Sequence, residues 1–119
     1  MKKEVIICFD LGNEQSGWVV YSKQDKYLIY KNKEKNNDII EKFQKYLVDY
    51  SVIKIAIEYP SSYGMPVNQT LLDMTFFCGV IAQIAKSNNI EVELVFRKSV
   101  KMFLTDSVRS NDSQINSRV

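Results

Sequence analysis

Histidine is absent from this chain, and cysteine, proline and glycine are scarce: 119 residues contain two cysteines, two prolines and four glycines. Without histidine, the chain cannot use a Ser-His or Cys-His pair in nucleophilic catalysis, and it has no histidine ligand for a metal. Cys8 and Cys78 form neither a disulfide framework nor a zinc spacing, and because both lie in apolar runs we expect them to act as small hydrophobic residues. Any chemistry must therefore rest on carboxylates, lysines or hydroxyls.

A long apolar segment is also missing. The longest apolar stretch, residues 71–85, is too short to span a bilayer, and no apolar segment of signal-peptide length follows the N-terminus. We therefore expect a cytoplasmic protein with no membrane partner. Lys and Arg number 16 against 14 Asp and Glu, so the net charge of +2 neither favours nor excludes a polyanionic partner. The length of 119 residues suits a single domain, 1–119, with one core.

The first apolar run, VIICFD, ends on the carboxylate of Asp10, directly before a predicted turn. The run is typical of a strand buried on both faces, and Leu-Gly-Asn at 11–13 ends it, so that Asp10 is its last residue. Residues 18–21 and 27–32 predict two further strands of an antiparallel meander, and the third strand has a lysine-rich, solvated exit. Taken alone, Asp10 is more often a turn-forming residue that is satisfied by its own backbone.

A helix and a fourth strand follow the meander. Residues 38–50 place their apolar side chains on one helical face, and Asn36 or Asn37 can cap that helix. Residues 53–58 predict a strand that returns parallel to the first strand by a right-handed crossover. Glu58 then leaves the sheet at the same edge as Asp10.

The second half of the chain predicts another helix, over residues 69–87, with Asn68 as its N-cap. A fifth strand over 91–96 and a short helix around 99–104 come next. The long helix is apolar on nearly all sides, so it is either deeply buried or pairs with another subunit, and we expect a homodimer. Gly79 lowers the stability of this helix by about 1 kcal/mol relative to alanine, which predicts a close packing contact there.

Two carboxylates at the ends of adjacent strands form an acidic notch. Such a notch can hold a hard divalent cation through oxygen ligands, and Mg²⁺ fits best. Phosphodiester hydrolysis with two metal ions requires no histidine. Either acid taken singly is more often a solvated strand-end charge, but the joint placement of Asp10 and Glu58 favours a metal site.

Several segments resemble one family of nucleases. FDLGNEQSGWVV, AIEYP and VFRKSVKMFLT are similar to motifs of the RuvC-type Holliday-junction resolvases, and YGMPVNQ and NDSQI resemble phage-encoded RuvC-like proteins. The resemblance implies an α/β, RNase H-like fold, with a mixed five-stranded sheet and helices on both faces. It also implies a Mg²⁺-dependent endonuclease, with Mn²⁺ as an alternative ion, that acts on branched DNA in recombination and repair in a bacterial cell. Asp10 and Glu58 would be its catalytic metal ligands.

The resemblance also leads to expectations about the C-terminal part. The family completes its site with acids on a C-terminal helix, whereas this chain ends at Val119, so we expect a truncated domain in which Asp112 is the only late acidic candidate. Lys101 would face the DNA backbone. Basic side chains near it in sequence, with an aromatic residue of the 59–69 loop, are candidate nucleic-acid contacts: Arg97, Lys98, Arg109 and Tyr63. Such a basic run is usually a solvated face, and Tyr63 can equally pack against the sheet.

Two alternatives belong to other functional classes. The actin-like ATPases and sugar kinases share the fold and also open with Asp-x-Gly, but they need two such domains and further glycine-rich phosphate loops, so we expect no nucleotide cofactor. A non-catalytic RuvC-like protein that binds DNA or dimerises is the second alternative. A nuclease assay with Mg²⁺ separates this binding protein from the enzyme.

Overall fold

The computed structural model describes residues 2–58 and 68–95. Within them, five strands and two helices follow one another in this order: β1 (Glu4–Asp10), β2 (Gln15–Ser22), β3 (Tyr27–Lys35), α1 (Asn36–Asp49), β4 (Ser51–Glu58), α2 (Gln69–Ser87) and β5 (Val92–Val95). The strands form one sheet in the order β3-β2-β1-β4-β5. β1, β2 and β3 form an antiparallel meander, whereas β4 pairs parallel with β1 and with β5. The predicted mixed five-stranded sheet is confirmed.

The two faces of the sheet follow from the alternation of side chains along the strands. One face carries the main core, in which strand residues pack against both helices: Val5, Ile7, Phe9, Trp18, Val20, Ile39, Phe43, Ile55, Ile57, Phe77 and Ile81. A smaller cluster lies on the opposite face, which we call the Cys8 face: Ile6, Cys8, Val19, Leu28 and Ala56. α1 and α2 therefore lie on the same side of the sheet. The third predicted helix, at 99–104, falls outside the described residues, so helices on both faces stay a prediction.

α1 begins earlier than predicted, and Asn36 does not cap it. The N-cap position is Lys35, which makes no capping bond with its side chain, and Asn36 is the first residue of the helix. The side chain of Asn36 instead donates to the backbone oxygens of Gly12 and Asn13. The capping prediction was wrong because this amide holds the turn after β1. By contrast, Asn68 caps α2 as predicted, since its side-chain oxygen accepts a hydrogen bond from the Leu71 N–H at 2.9 Å.

α2 buries one side and exposes another. Phe77 and Ile81 pack into the core, whereas Leu72 and Phe76 are 54% and 76% exposed. Gly79 is also exposed, and a Cβ built on it would meet no other atom within 4 Å. The predicted close packing contact at Gly79 is therefore wrong for the described part of the chain. None of the described helices is long and apolar enough to cross a membrane.

Both cysteines behave as small hydrophobic residues, as predicted. Cys8 and Cys78 are buried free thiols. Burial raises the pKa of the Cys8 thiol to about 12, although the positive charge of Lys54 opposes this effect, and burial also raises the pKa of Cys78. Because the thiolate is the reactive form, neither side chain is suited to nucleophilic chemistry near neutral pH.

Candidate active site

Asp10 and Glu58 end two neighbouring parallel strands. The register of β1 and β4 pairs Cys8 with Ala56 and Phe9 with Ile57. One step further in the same register, Asp10 lies beside Glu58, on strands about 4.8 Å apart. Because side chains alternate along a strand, both carboxylates belong to the Cys8 face. The structure thus places the two predicted acids side by side, at the C-terminal ends of β1 and β4 and on one face of the sheet. We call this end of the two strands the acidic edge.

The two carboxylates differ in their surroundings. Asp10 is exposed, whereas Glu58 is only 7% exposed. Each of them also makes interactions with other groups of the protein. Asp10 therefore faces the solvent side of the site, and Glu58 forms its inner wall.

A hydrogen-bonded clamp fixes the turn that follows Asp10. The Gly12 N–H donates to Ser16 Oγ at 3.0 Å, and the Ser16 hydroxyl donates to Asn36 Oδ1 at 2.7 Å. Asn36 Nδ2 closes the network by donating to the backbone oxygens of Gly12 and Asn13, at 3.1 and 3.2 Å. Ser16 is 1% exposed, so the centre of the clamp is buried, whereas Asn36 is half-buried. The clamp couples the first turn of α1 to the end of β1 and thereby positions Asp10.

The same turn requires glycine at position 12. A Cβ on Gly12 would lie 2.2 Å from the backbone oxygen of Gln15, which is closer than any real contact of that kind. A side chain here would force this carbonyl and the Ser16 clamp to move. Gly12 therefore serves the close approach of two backbone segments behind Asp10.

The donor set at this edge suits a hard cation. Mg²⁺ commonly takes one or two carboxylates and keeps several water molecules, so Asp10 and Glu58 fit that ion. No cluster of three or more His, Cys, Asp or Glu side chains that could hold a metal occurs in residues 2–58 and 68–95. The described part of the chain thus supplies two carboxylates, and water or substrate oxygens suit the remaining positions.

Comparison with known proteins identifies the fold. No family model and no curated protein matches the sequence. The structure of T. thermophilus RuvC in complex with a Holliday junction substrate superimposes with a TM-score of 0.65, covering 82% of this chain and 69% of that chain at 14% identity. The fold is RNase H-like, as in RuvC. This confirms the fold expected from the sequence motifs, and at such low identity the likeness shows the fold alone.

The predicted nucleic-acid contacts lie outside the described residues: Tyr63, Arg97, Lys98, Lys101 and Arg109, together with the late acid Asp112. The described part instead brings other cations near the acidic edge. β3 extends three residues beyond the predicted strand and carries Lys31, Lys33 and Lys35. From the sequence, these lysines were interpreted only as a solvated segment at the end of the third strand. That they share one face could not be predicted, because it depends on the length and register of β3.

Proposed function

We propose that this protein is a Mg²⁺-dependent endonuclease that acts on branched DNA, and that Asp10 and Glu58 are its metal-binding carboxylates. The observation that carries the proposal is the register of β1 and β4, which puts the two acids side by side on one face. The RNase H-like fold supports it, since the similar RuvC structure contains a Holliday junction substrate. Mn²⁺ is the alternative ion, and the proposed setting is DNA recombination or repair in the cytoplasm of a bacterium, with a phage gene as one source.

The two carboxylates have distinct roles in this proposal. A divalent cation at such a site stabilises charge on the phosphodiester and lowers the pKa of a bound water. Asp10, which is exposed, would bind the cation where it meets the DNA, and the Ser16–Asn36 clamp would keep its position fixed. Glu58 would bind from the inner side, where its burial restricts its motion.

Further parts of the proposal concern DNA contacts and assembly. Arg97, Lys98, Lys101 and Arg109 would bind phosphates, and Tyr63 would stack on an unpaired base at the junction. A homodimer would bring two sites to one branched substrate. The exposed apolar side of α2 supports this pairing.

A non-catalytic protein that binds branched DNA is the second candidate. The number of acidic side chains at the site favours the non-catalytic protein, because only two carboxylates, Asp10 and Glu58, lie together there within the described ranges. Two-metal hydrolysis places a second ion with further oxygen ligands. The two candidates differ in whether a bound junction is cut when Mg²⁺ or Mn²⁺ is added.

A cleavage assay on a synthetic four-way DNA junction tests the proposal. We expect metal-dependent cutting by the wild type and a loss of at least about 100-fold in rate for Asp10→Asn and for Glu58→Gln, because each removes a metal ligand. Asp49→Asn is the matched control, since Asp49 is an exposed acid at the end of α1, away from this edge. Undiminished cutting by Asp10→Asn would refute the site. Junction binding by the wild type without any cutting would support the non-catalytic alternative.

A further inference from the structure

Lys31 and Lys33 of β3 lie on one face of the sheet, and Glu34 lies on the other face. Glu34 accepts hydrogen bonds from Trp18 Nε1 at 2.8 Å and from the Tyr30 hydroxyl at 2.6 Å on the helix-covered side of the sheet. The alternation of side chains then places Lys31 and Lys33 on the Cys8 face, and both are exposed. This face also carries Asp10 and Glu58.

Cross-strand pairing aligns these lysines with the acidic edge. Asp10 pairs with Gly17 across β1 and β2, and Gly17 pairs with Lys33 across β2 and β3. Asp10 and Lys33 thus occupy one row of the sheet, about 9.6 Å apart across two strand spacings. Since Gly17 has no side chain, nothing from β2 stands between them. A Cβ on Gly17 would contact only the Cβ of Asp10, at 4.0 Å.

A groove lies above the row formed by Asp10, Gly17 and Lys33. Its volume is about 390 Å³, and it is bounded by Asp10 on one side and by Lys31 and Lys33 on the other. Gly17 and Val19 contribute to its floor. We call this space the Gly17 groove.

The two lysines beside the groove are available to a ligand. Four lysines form ion pairs within the described part of the chain: Lys3, Lys42, Lys45 and Lys54. Lys31 and Lys33 take part in none of these pairs. Lysines on an edge strand also prevent unwanted strand pairing, which requires only that the edge be charged. That role does not account for lysines that line the same groove as Asp10.

We propose that the Gly17 groove holds the sugar-phosphate backbone of a nucleic-acid strand, with Lys31 and Lys33 in contact with its phosphates. The nature of the ligand rests on the proposed function, since Asp10 on the opposite wall is one of the two proposed metal ligands. Lysine is a flexible point charge that suits phosphate. Contacts of this kind position the strand without reading its bases. The glycine at position 17 leaves room for the backbone to approach the acidic edge.

Binding measured without cleavage tests the groove. The wild type and the double variant Lys31→Gln/Lys33→Gln are titrated with a fluorescent four-way DNA junction in EDTA, between 50 and 200 mM salt. If two phosphate contacts are lost, the slope of log affinity against log salt falls by roughly 1.4 to 1.8. The ratio of wild-type to variant affinity then falls about tenfold over this salt range. The matched control is Lys2→Gln/Lys23→Gln, which removes two exposed lysines at the opposite end of the sheet and leaves the slope unchanged.

A second variant tests the space itself. Gly17→Glu places a carboxylate in the groove, and the backbone has room for its Cβ. We expect weaker junction binding with an unchanged thermal unfolding temperature, whereas Gly17→Ala binds like the wild type because one methyl group does not fill the groove. Junction binding by Gly17→Glu equal to that of the wild type would overturn the proposal.

The outcomes separate the groove from the proposed function. Three results would overturn the proposed role of the groove. They are an unchanged salt slope for the Lys31→Gln/Lys33→Gln variant, an equal loss in the control, and no junction binding by the wild type at 50 mM salt. If Asp10-dependent cleavage persists in any of these cases, the proposed function stands without the groove. Lysine-dependent binding in a protein that does not cut would support the groove and overturn the nuclease.

Discussion

Glu34 holds the C-terminal part of β3 against the helix-covered side of the sheet. Its side chain is 9% exposed and accepts hydrogen bonds from Trp18, Tyr30 and Lys42, so it ties the edge strand to α1. Burial raises the pKa of Glu34, but the hydrogen bonds from Lys42, Tyr30 and Trp18 outweigh it and hold the pKa below 4.5. The ionised carboxylate therefore stabilises the folded protein. The alternation of side chains along β3 places Lys31 and Lys33 on the opposite face.

Replacing Glu34 by glutamine should lower stability in a pH-dependent way. Because the folded-state pKa lies below the unfolded value of 4.5, the stabilisation is present above pH 4.5 and disappears as the pH falls through the folded-state pKa. At pH 7 we expect Glu34→Gln to lower the free energy of unfolding by about 1–3 kcal/mol, as for hydrogen bonds to a charged group. Urea unfolding at pH 7 and pH 3 measures this.

The control for this measurement is Glu41→Gln, an exposed acid on α1, which should change little at either pH. An equal deficit for Glu34→Gln at both pH values would mean that shape, rather than charge, accounts for the loss.

At the scale of elements, the strength of each apolar pattern decided what the sequence could predict. β1 and α2 were predicted within one residue because their apolar patterns are strong and their ends carry breakers or caps. The end of β3 was missed, since KNKEK alternates only polar side chains and resembles a solvated loop. The clamp of Ser16 and Asn36 was also missed, because it joins residues 20 positions apart that carry no local pattern.

α2 provides a test of assembly at this scale. Phe76 is 76% exposed on the side of the helix that faces away from the core, so Phe76→Asp should leave the fold intact. If α2 mediates a homodimer, this variant should be monomeric in sedimentation at micromolar concentration, whereas the wild type is dimeric. Val48→Asp is the matched control, since Val48 is a 66% exposed apolar residue of α1. A monomeric wild type, or equal dissociation by both variants, would contradict the assignment of α2.

The topology of the whole molecule brings the acids and the lysines together. β2 reverses the chain and β3 reverses it again, so the C-terminal end of β3 lies at the same end of the sheet as Asp10. The crossover through α1 brings Glu58 to the same end on β4. The sequence predicted the acid pair because each acid ends an apolar strand. The position of Lys31 and Lys33 beside Asp10 could not be predicted, since it depends on cross-strand register and on the missing side chain of Gly17.

Binding of Mn²⁺ tests the central claim most directly, because it measures the paired carboxylates without requiring DNA or turnover. Titration followed by electron paramagnetic resonance counts free and bound Mn²⁺ for the wild type, Asp10→Asn, Glu58→Gln and the control Asp49→Asn. The paired site predicts at least about tenfold weaker binding for each of the first two variants and no change for the control, because each variant removes one of two carboxylate ligands. Equal Mn²⁺ affinity in all four proteins would show that Asp10 and Glu58 do not form a metal site.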